Sequence, residues 1–365
     1  MKISHFLRAS RETLINSTEV RSNLVFGNES GDLDSTISSI AYAYYMAEGQ
    51  KQDYVPVMNT TKEKLEHRYE VLYCLESMGV SKLDLLFLDE LQNKESLGKI
   101  TLVDHHQPNS KFKALGYHKL VDTVIDHHPD TGEMDSVAMR VVDPSVGSCA
   151  TLITEKIKKL SLESATEIAF PLLSTIISDT SNFNPKLGRT SNRDIEAVDF
   201  LFQLLQCSKS KPMFLEENYE TILAKKIDES NLPTKDILAK DFKEYITSNN
   251  LKIGVSAANL SFEHWMNREG KRNFLTELHK FDKEHSFDLF IVMTTFKTGK
   301  LQCEMLIMCD GEFPISFSKM YPEVECILEE TGEINGKKYT IFKKSTLVTR
   351  KRLMPMIFDY LQNFI

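Results

Sequence analysis

The chain has 365 residues, of which 41% are hydrophobic and 26% charged, which is too long for one ordinary core and gives a length prior of two domains, with three as the upper bound. With 52 acidic against 44 basic side chains, its net charge of −8 argues against a protein built to coat nucleic acid or an anionic membrane. The six cysteines, at 74, 149, 207, 303, 309 and 326, include no C-x-x-C pair, so a disulfide scaffold is excluded and a reducing compartment is expected.

In chain order, the first half alternates short β-branched runs with helical patterns, the signature of βαβ units. Strands are predicted at Asn23 to Phe26, Asp84 to Leu88, Ile100 to Val103 and Val121 to Ile125, and helices at Asp34 to Ala47, Ala150 to Leu160 and Ala165 to Ser178. This pattern predicts a doubly wound, mainly parallel α/β domain over residues 1–204. A polar stretch at 205–232 reads as a partly helical connection, since loops of that length are rarely structureless. The remainder, 233–365, reads as a smaller α+β domain with strands at Leu251 to Ala257, Leu289 to Phe296 and Glu304 to Met308 and helices at about 262–284 and 351–363. No apolar run approaches the ~20 residues of a membrane helix. The first residues lack the apolar core of a secretory signal and carry Glu12 and Glu19, so the expectation is a soluble cytoplasmic protein.

Chemistry concentrates in the first half. Gly27-Asn28-Glu29-Ser30-Gly31-Asp32-Leu33-Asp34-Ser35 is a strand-to-helix loop with two carboxylates that would project to one side of an extended segment; alternatively, Asp34 or Ser35 caps the following helix. Val103-Asp104-His105-His106 and Ile125-Asp126-His127-His128 each follow an apolar run. Two Asp-His-His motifs at strand ends, where an open parallel sheet binds its ligands, are hard to assign to packing alone. Ile177-Ser178-Asp179-Thr180 ends a long apolar helical pattern and is either a solvated helix end or a further carboxylate for the same edge. Together these supply oxygen donors and imidazoles without a thiolate, a set suited to manganese, magnesium or cobalt. A pair of such ions ~3.5–4 Å apart commonly serves phosphoryl hydrolysis.

Other chemistries lack their fingerprints, for there is no P-loop, no G-x-G-x-x-G and no G-x-S-x-G. Val146 to Thr151 opens a helix and could offer backbone amides to an anion, with Cys149 there read as a packed residue rather than a nucleophile. Between Gly336 and Arg352 stand Lys337, Lys338, Lys343, Lys344, Arg350, Lys351 and Arg352 without an acidic residue. Such a run is a solvated face or, at the helix start near Arg350, a grip for phosphate.

The ordered motifs GNESGDLDS, VDHH, IDHH, GSCATL and SDTSN resemble the DHH phosphoesterase superfamily, and most of all its prune and exopolyphosphatase branch. KDFKEY, HSFDLFIVMT and TRKRLMP resemble that branch's DHHA2 domain. The resemblance covers nearly the whole chain. It implies a metal-dependent hydrolase of phosphoanhydrides, chiefly short-chain polyphosphate, that uses two divalent ions. Two further possibilities come with it: a 3',5'-cyclic-nucleotide phosphodiesterase working at the same site, or a non-catalytic adaptor that binds nucleoside diphosphate kinase. By resemblance, Asp32 and Asp34 each hold one ion, Asp104 serves both, and His127 and Asp179 complete the set. His128 would contact the substrate phosphate beside His105, with Arg350, Lys351 and Lys243 as the cations of the second domain. Asp126 would orient the histidines rather than bind metal. Asn28 stands where the related manganese pyrophosphatases have a metal-binding histidine, and its amide oxygen would be a harder, weaker donor. His128 stands where vertebrate prune proteins commonly carry arginine, which implies that the hydrolytic machinery here is intact.

Overall fold

Consecutive apolar residues on a strand face opposite sides of a sheet, and in the first half both sides are buried. Leu24, Phe26, Leu102 and Val124 belong to one core, while Val25, Val103 and Ile125 belong to another. Near-continuous apolar strands of this kind require helices on both faces. The computed structural model describes residues 1–16, 21–91, 97–311, 313–321, 326–344 and 350–364, and the chain divides into two compact units, Met1–Lys226 and Ile227–Ile365.

The first unit is built on β1 (Ser22–Phe26), β2 (Tyr54–Met58), β3 (Leu86–Phe87), β4 (Leu97–Val103), β5 (Val121–Asp126) and β6 (Met139–Val142). They run in the order β3-β2-β1-β4-β5-β6, and every neighbouring pair is parallel. Strand order therefore reverses between β1 and β4, the point at which a doubly wound sheet opens a crevice beyond its carboxyl edge. The doubly wound α/β reading is thus what the fold shows. Sequence periodicity passed over β2, whose Pro56 argues against a sheet interior, and the edge strand β6. The single helix expected over Ala165 to Ser178 is two, Leu162–Thr166 and Ala169–Asp179.

The second unit is α+β, as expected. Its strands are β7 (Phe242–Ile246), β8 (Lys252–Ala258), β9 (Leu289–Thr298), β10 (Lys300–Cys309), β11 (Cys326–Ile334) and β12 (Lys337–Lys344), in the order β11-β12-β10-β9-β8-β7. Only β8 and β9 pair in parallel. Ile253, Val255, Ile291 and Ile307 face a core closed by Leu353 and Ile357 of the Arg350–Phe364 helix. The helix expected at 262–284 is broken at Gly270, φ 79°, into Phe262–Glu269 and Lys271–His285. Asn335 and Gly336 both have positive φ and turn β11 into β12, so the basic run begins on a strand. Among the described residues no helix is long and apolar enough to cross a membrane.

Candidate metal centre

Three loops meet beyond the carboxyl ends of β1, β4 and β5. The first enters the Leu33–Gln50 helix, and Asp32 is its N-cap, accepting from Ser35 N at 3.0 Å. The cap is therefore neither Asp34 nor Ser35. Asp34 lies in the first turn of that helix rather than in an extended segment, and from this helix entrance both carboxylates act on Asp104 and Asp179. Gly27 permits this tight entry, since a Cβ there would lie 2.1 Å from Ser35 Oγ and 2.6 Å from Ser35 O.

Asp34 is buried and accepts from Cys149 N at 2.6 Å, Ala150 N at 2.9 Å, Ser148 Oγ at 2.9 Å and Ser38 Oγ at 2.9 Å. The helix N-terminus at 148–150 is thus filled by an anion of the protein itself, which corrects the expectation that its amides would await an external one. Asp194, fully buried, secures the same turn by accepting from Gly147 N at 3.0 Å and Thr151 Oγ1 at 2.5 Å. The approach is close enough that a Cβ on Gly147 would stand 2.2 Å from Arg189 O.

Asp104, directly after β4, is 2% exposed and holds φ +59°, a left-handed conformation costly for a residue with a Cβ. Its Oδ2 accepts from Asn28 Nδ2 at 2.8 Å, while its Oδ1 is buried without a hydrogen-bond partner. That orphaned oxygen lies 3.3 Å from His127 Nε2 and 3.7 Å from His128 Nδ1. His127 Nδ1 is 3.4 Å from Val146 O, a carbonyl that can only accept. With the proton on Nδ1, the Nε2 lone pair faces Asp104 and, at 3.6 Å, Asp34 Oδ2. Asp104, His127 and His128 offer ligand atoms that all lie within 4.8 Å of one another.

Burial, then the nearby charges of Asp34, Asp32 and Asp126, push the Asp104 carboxyl well above its ordinary value. Asp179, the last residue of the Ala169–Asp179 helix, is likewise pushed up by burial and by Asp34 and Asp32, against a lowering pull from Lys226 and Ser148. Its Oδ2 is also buried without a partner, although the residue as a whole is half-buried. Carboxylates that repel one another, two orphaned oxygens and an imidazole lone pair facing them form an arrangement that a cation satisfies and a proton relieves only in part. The residues present therefore fit a divalent metal. The nearby Cys149 is no competitor as a ligand, because burial followed by the surrounding carboxylates holds its thiol well above the ordinary value and thus protonated.

The four histidines of the two motifs separate by environment. Buried His106, to which no site role was assigned from the sequence, is held by hydrogen bonds at both ring nitrogens. Its Nδ1 meets Asp126 Oδ2 at 2.5 Å, and its Nε2 accepts from Thr131 N at 3.2 Å. Burial lowers the His105 value, and its Nδ1 donates to Val103 O at 2.9 Å. Asp126 Oδ1 accepts from His128 Nδ1 at 2.8 Å and from His127 N at 2.7 Å. Desolvation would raise the Asp126 carboxyl, but the hydrogen bonds from His128 and His106 prevail and hold it below the usual range. Asp126 thus orients two imidazoles, and the His128 side chain, 53% exposed, faces outward.

Asn28 differs from its sequence reading. Its Oδ1 accepts from Ser30 N at 2.9 Å, which fixes the amide so that Nδ2 faces Asp104 and the oxygen is turned away from the carboxylates. Ser148, Asp194 and Thr131 were not singled out from the sequence. The Gly-Ser pair before an apolar run was a readable cap signal for Ser148, but the other two act through contacts distant in the chain.

Lys243, Arg350 and Lys351 belong to the second unit. Lys243 is exposed on β7. Arg350 opens the last helix and donates to Asp241 Oδ1 at 2.7 Å. The side chains of Lys344 and Lys351 lie outside the described residues. Lys337 pairs with buried Asp282 at 3.1 Å and Lys343 with Glu329 at 2.8 Å, so these two members of the basic run are compensated within their own unit.

Residues 22–178 match the model of the DHH family, N-terminal domain, and residues 220–360 match the DHHA2 domain. Exopolyphosphatase PRUNE1 of Homo sapiens is 32% identical over 98% of this chain and 79% of its own length. The chain belongs to the prune and exopolyphosphatase branch of the DHH phosphoesterases. Exopolyphosphatase PRUNE1 of Rattus norvegicus is 28% identical to this DHH phosphoesterase over 94% of the chain and 76% of its own length. A protein of Lactobacillus delbrueckii subsp. bulgaricus named "Probable manganese-dependent inorganic pyrophosphatase" is 27% identical over 87% of the chain and 96% of its own length.

Proposed function

We propose that this chain is a metal-dependent phosphoanhydride hydrolase of the exopolyphosphatase type, releasing terminal phosphate from short-chain polyphosphate. The observation that carries this reading is the orphaned Asp104 Oδ1 facing the His127 lone pair at the reversal point of the sheet. A chain matching a named exopolyphosphatase over almost its whole length supports it. In this reading Asp32, Asp34, Asp104, His127 and Asp179 would hold two divalent ions, Mn2+ or Mg2+ with Co2+ as a substitute. When bound, such ions supply Lewis acidity that lowers the pKa of water and neutralises phosphoryl oxygens.

The side chains do the rest. Asp126 accepts from His128 Nδ1 and fixes that ring, and a proton carried on its Nε2 would donate to a phosphoryl oxygen and pass to the departing polyphosphate chain. His105, with Nδ1–H spent on Val103 O, presents its Nε2 as an acceptor for a protonated substrate oxygen. On the second unit, Lys243 and Arg350, and by family resemblance Lys351, are proposed as cations for polyphosphate oxygens, with Asp241 accepting from the Arg350 guanidinium.

Phosphate release from tripolyphosphate, pyrophosphate and cyclic AMP, each with Mg2+, Mn2+, Co2+ or chelator, tests the reading. Tripolyphosphate should be cleaved only with metal, and Asp104→Ala should abolish turnover while the fold persists by circular dichroism. If Asp104→Ala stayed within tenfold of the parent, the site would be misassigned. Faster turnover of cyclic AMP than of tripolyphosphate would replace the reading with a phosphodiesterase.

A further inference from the structure

All six strands of the first sheet begin at one edge, and the proposed catalytic residues occupy only the other. At the starting edge lies a cavity of about 880 Å³, bordered by Asn23 of β1, Tyr54 of β2, Lys99 of β4 and Thr123 of β5. That volume is in the range of small-molecule sites. A strand of five or six residues separates the two edges by ~17–20 Å, so one small ligand cannot occupy both.

The cavity's charge is opposite to that of the chain as a whole. Arg21, Lys99, Lys119 and Lys156 border it, against Asp122 as the one carboxylate among the described lining residues. Lys99 and Asp122 pair at 3.1 Å, so no further described carboxylate of the lining offsets Arg21, Lys119 and Lys156. Arg21 is partly anchored, its Nε donating to Leu97 O at 3.0 Å. Lys119 is exposed and Lys156 half-buried, and neither makes an ion pair with a described residue. Desolvation lowers the Lys156 value, a cost that a bound anion would relieve. The inner wall is aromatic: Tyr42 packs against Tyr45 and Tyr54 with ring centroids 6.2 Å apart in each pair, and all three are buried. Gln50 Nε2 donates to Tyr45 OH at 3.0 Å, so this wall is held in place before any ligand arrives.

We propose that this basin is a second site, separate from the metal centre, for a small phosphate-bearing ligand. Oxyanions would meet Lys119, Lys156 and Arg21, while the tyrosines and the flanking Met46 and Met139 offer a surface for a ring. A nucleoside phosphate uses both parts; an inorganic polyphosphate uses the cations alone.

The test is calorimetric titration of the full chain, kept in chelator so that the probe is not hydrolysed, with ADP and separately with tripolyphosphate. One equivalent of ADP should bind, with tripolyphosphate about tenfold weaker. Tighter binding of tripolyphosphate would identify inorganic polyphosphate as the ligand of the same basin. Lys119→Glu and Lys156→Met should each weaken binding about tenfold, with Lys156→Met retaining an apolar stem to protect the fold. Lys111→Glu, on an exposed face outside the basin, should have little effect, and Asp104→Ala should bind as the parent does. Absence of binding by either probe would overturn the proposal, as would an equal loss in Lys111→Glu or loss in Asp104→Ala. Because no arm measures catalysis, its failure would leave the hydrolase reading standing, and the reverse holds too.

Discussion

At the residue scale the centre is a set of groups that suit a metal better than they suit the metal-free fold. Asp104 and Asp179 are each held well above the ordinary 3.8, so the folded chain keeps protons that the unfolded chain has released. Their contribution to stability is full below about pH 3.8 and is lost as pH rises through their folded values. Asp126 is shifted the other way: its contribution is present above the ordinary range and is lost as pH falls below it. Asp104→Asn should therefore raise the Tm of the chelator-treated protein, by more at about pH 8 than at about pH 5. A Tm difference that does not change with pH would mean that Asp104 is an ordinary carboxylate. Asn28 offers a test of metal preference. Its Nδ2 stands 2.8 Å from Asp104 Oδ2, so Asn28→His places an imidazole beside that carboxylate and should favour Mn2+ or Co2+ over Mg2+. Titrations of activity against each ion would reveal that change, and unaltered relative affinities would remove position 28 from the metal's surroundings.

At the element scale, Asp34 differs from its neighbours because it holds a helix in place. Four donors, two of them backbone amides of the Cys149–Ile157 helix, end on its carboxylate. Removing it strands those amides in a buried position. Asp34→Ala should thus destabilise the fold by about 2 kcal/mol or more, measured by urea unfolding in chelator. Asp179→Ala, which deletes a repelled carboxylate, should be neutral or stabilising under the same conditions. Equal losses would mean that the two aspartates play the same structural part. The comparison separates positioning from metal holding, since both variants are expected to lose activity.

At the scale of the whole molecule, each unit closes its own core, and the basic run has to be judged by what its members already touch. Lys337 neutralises buried Asp282 and also donates to Phe287 O at 2.8 Å. Lys337→Ala should consequently cost about 3–5 kcal/mol of stability by leaving a buried charge unpaired, with kcat/KM of the folded fraction little changed. Arg350, tethered at its helix start by Asp241, is expected to behave in the opposite way: Arg350→Ala should reduce kcat/KM for tripolyphosphate at least about tenfold with a small effect on urea midpoint. If Arg350→Ala left kcat/KM intact at low salt, the phosphate-gripping role of that helix start would be abandoned.

The sequence by itself determined the fold class of both units and the edge of the first sheet where the chemistry collects, because these follow from short-range features. Apolar runs of strand length, a helix after each, and acidic or imidazole side chains directly beyond a strand are all contained within a few consecutive residues. Tertiary structure alone decided which members of that set are free to bind a metal. His105 and His106 are adjacent and chemically alike, yet Asp126 and Thr131, both more than 19 residues away, use both nitrogens of His106, while the Nε2 of His105 stays available. The Asn28 oxygen is claimed by Ser30, two residues on, in a local turn, whereas the 148–150 amides looked vacant until Asp34, 115 positions from Cys149, filled them. The same holds for the basin at the starting edge, since Tyr42, Lys99, Lys119 and Lys156 share no motif and become neighbours only when the Leu33–Gln50 and Cys149–Ile157 helices pack beside the starts of the strands. Hydrogen-bond capacity is used up through space, and which partner consumes it depends on strand order and helix packing that local periodicity does not encode.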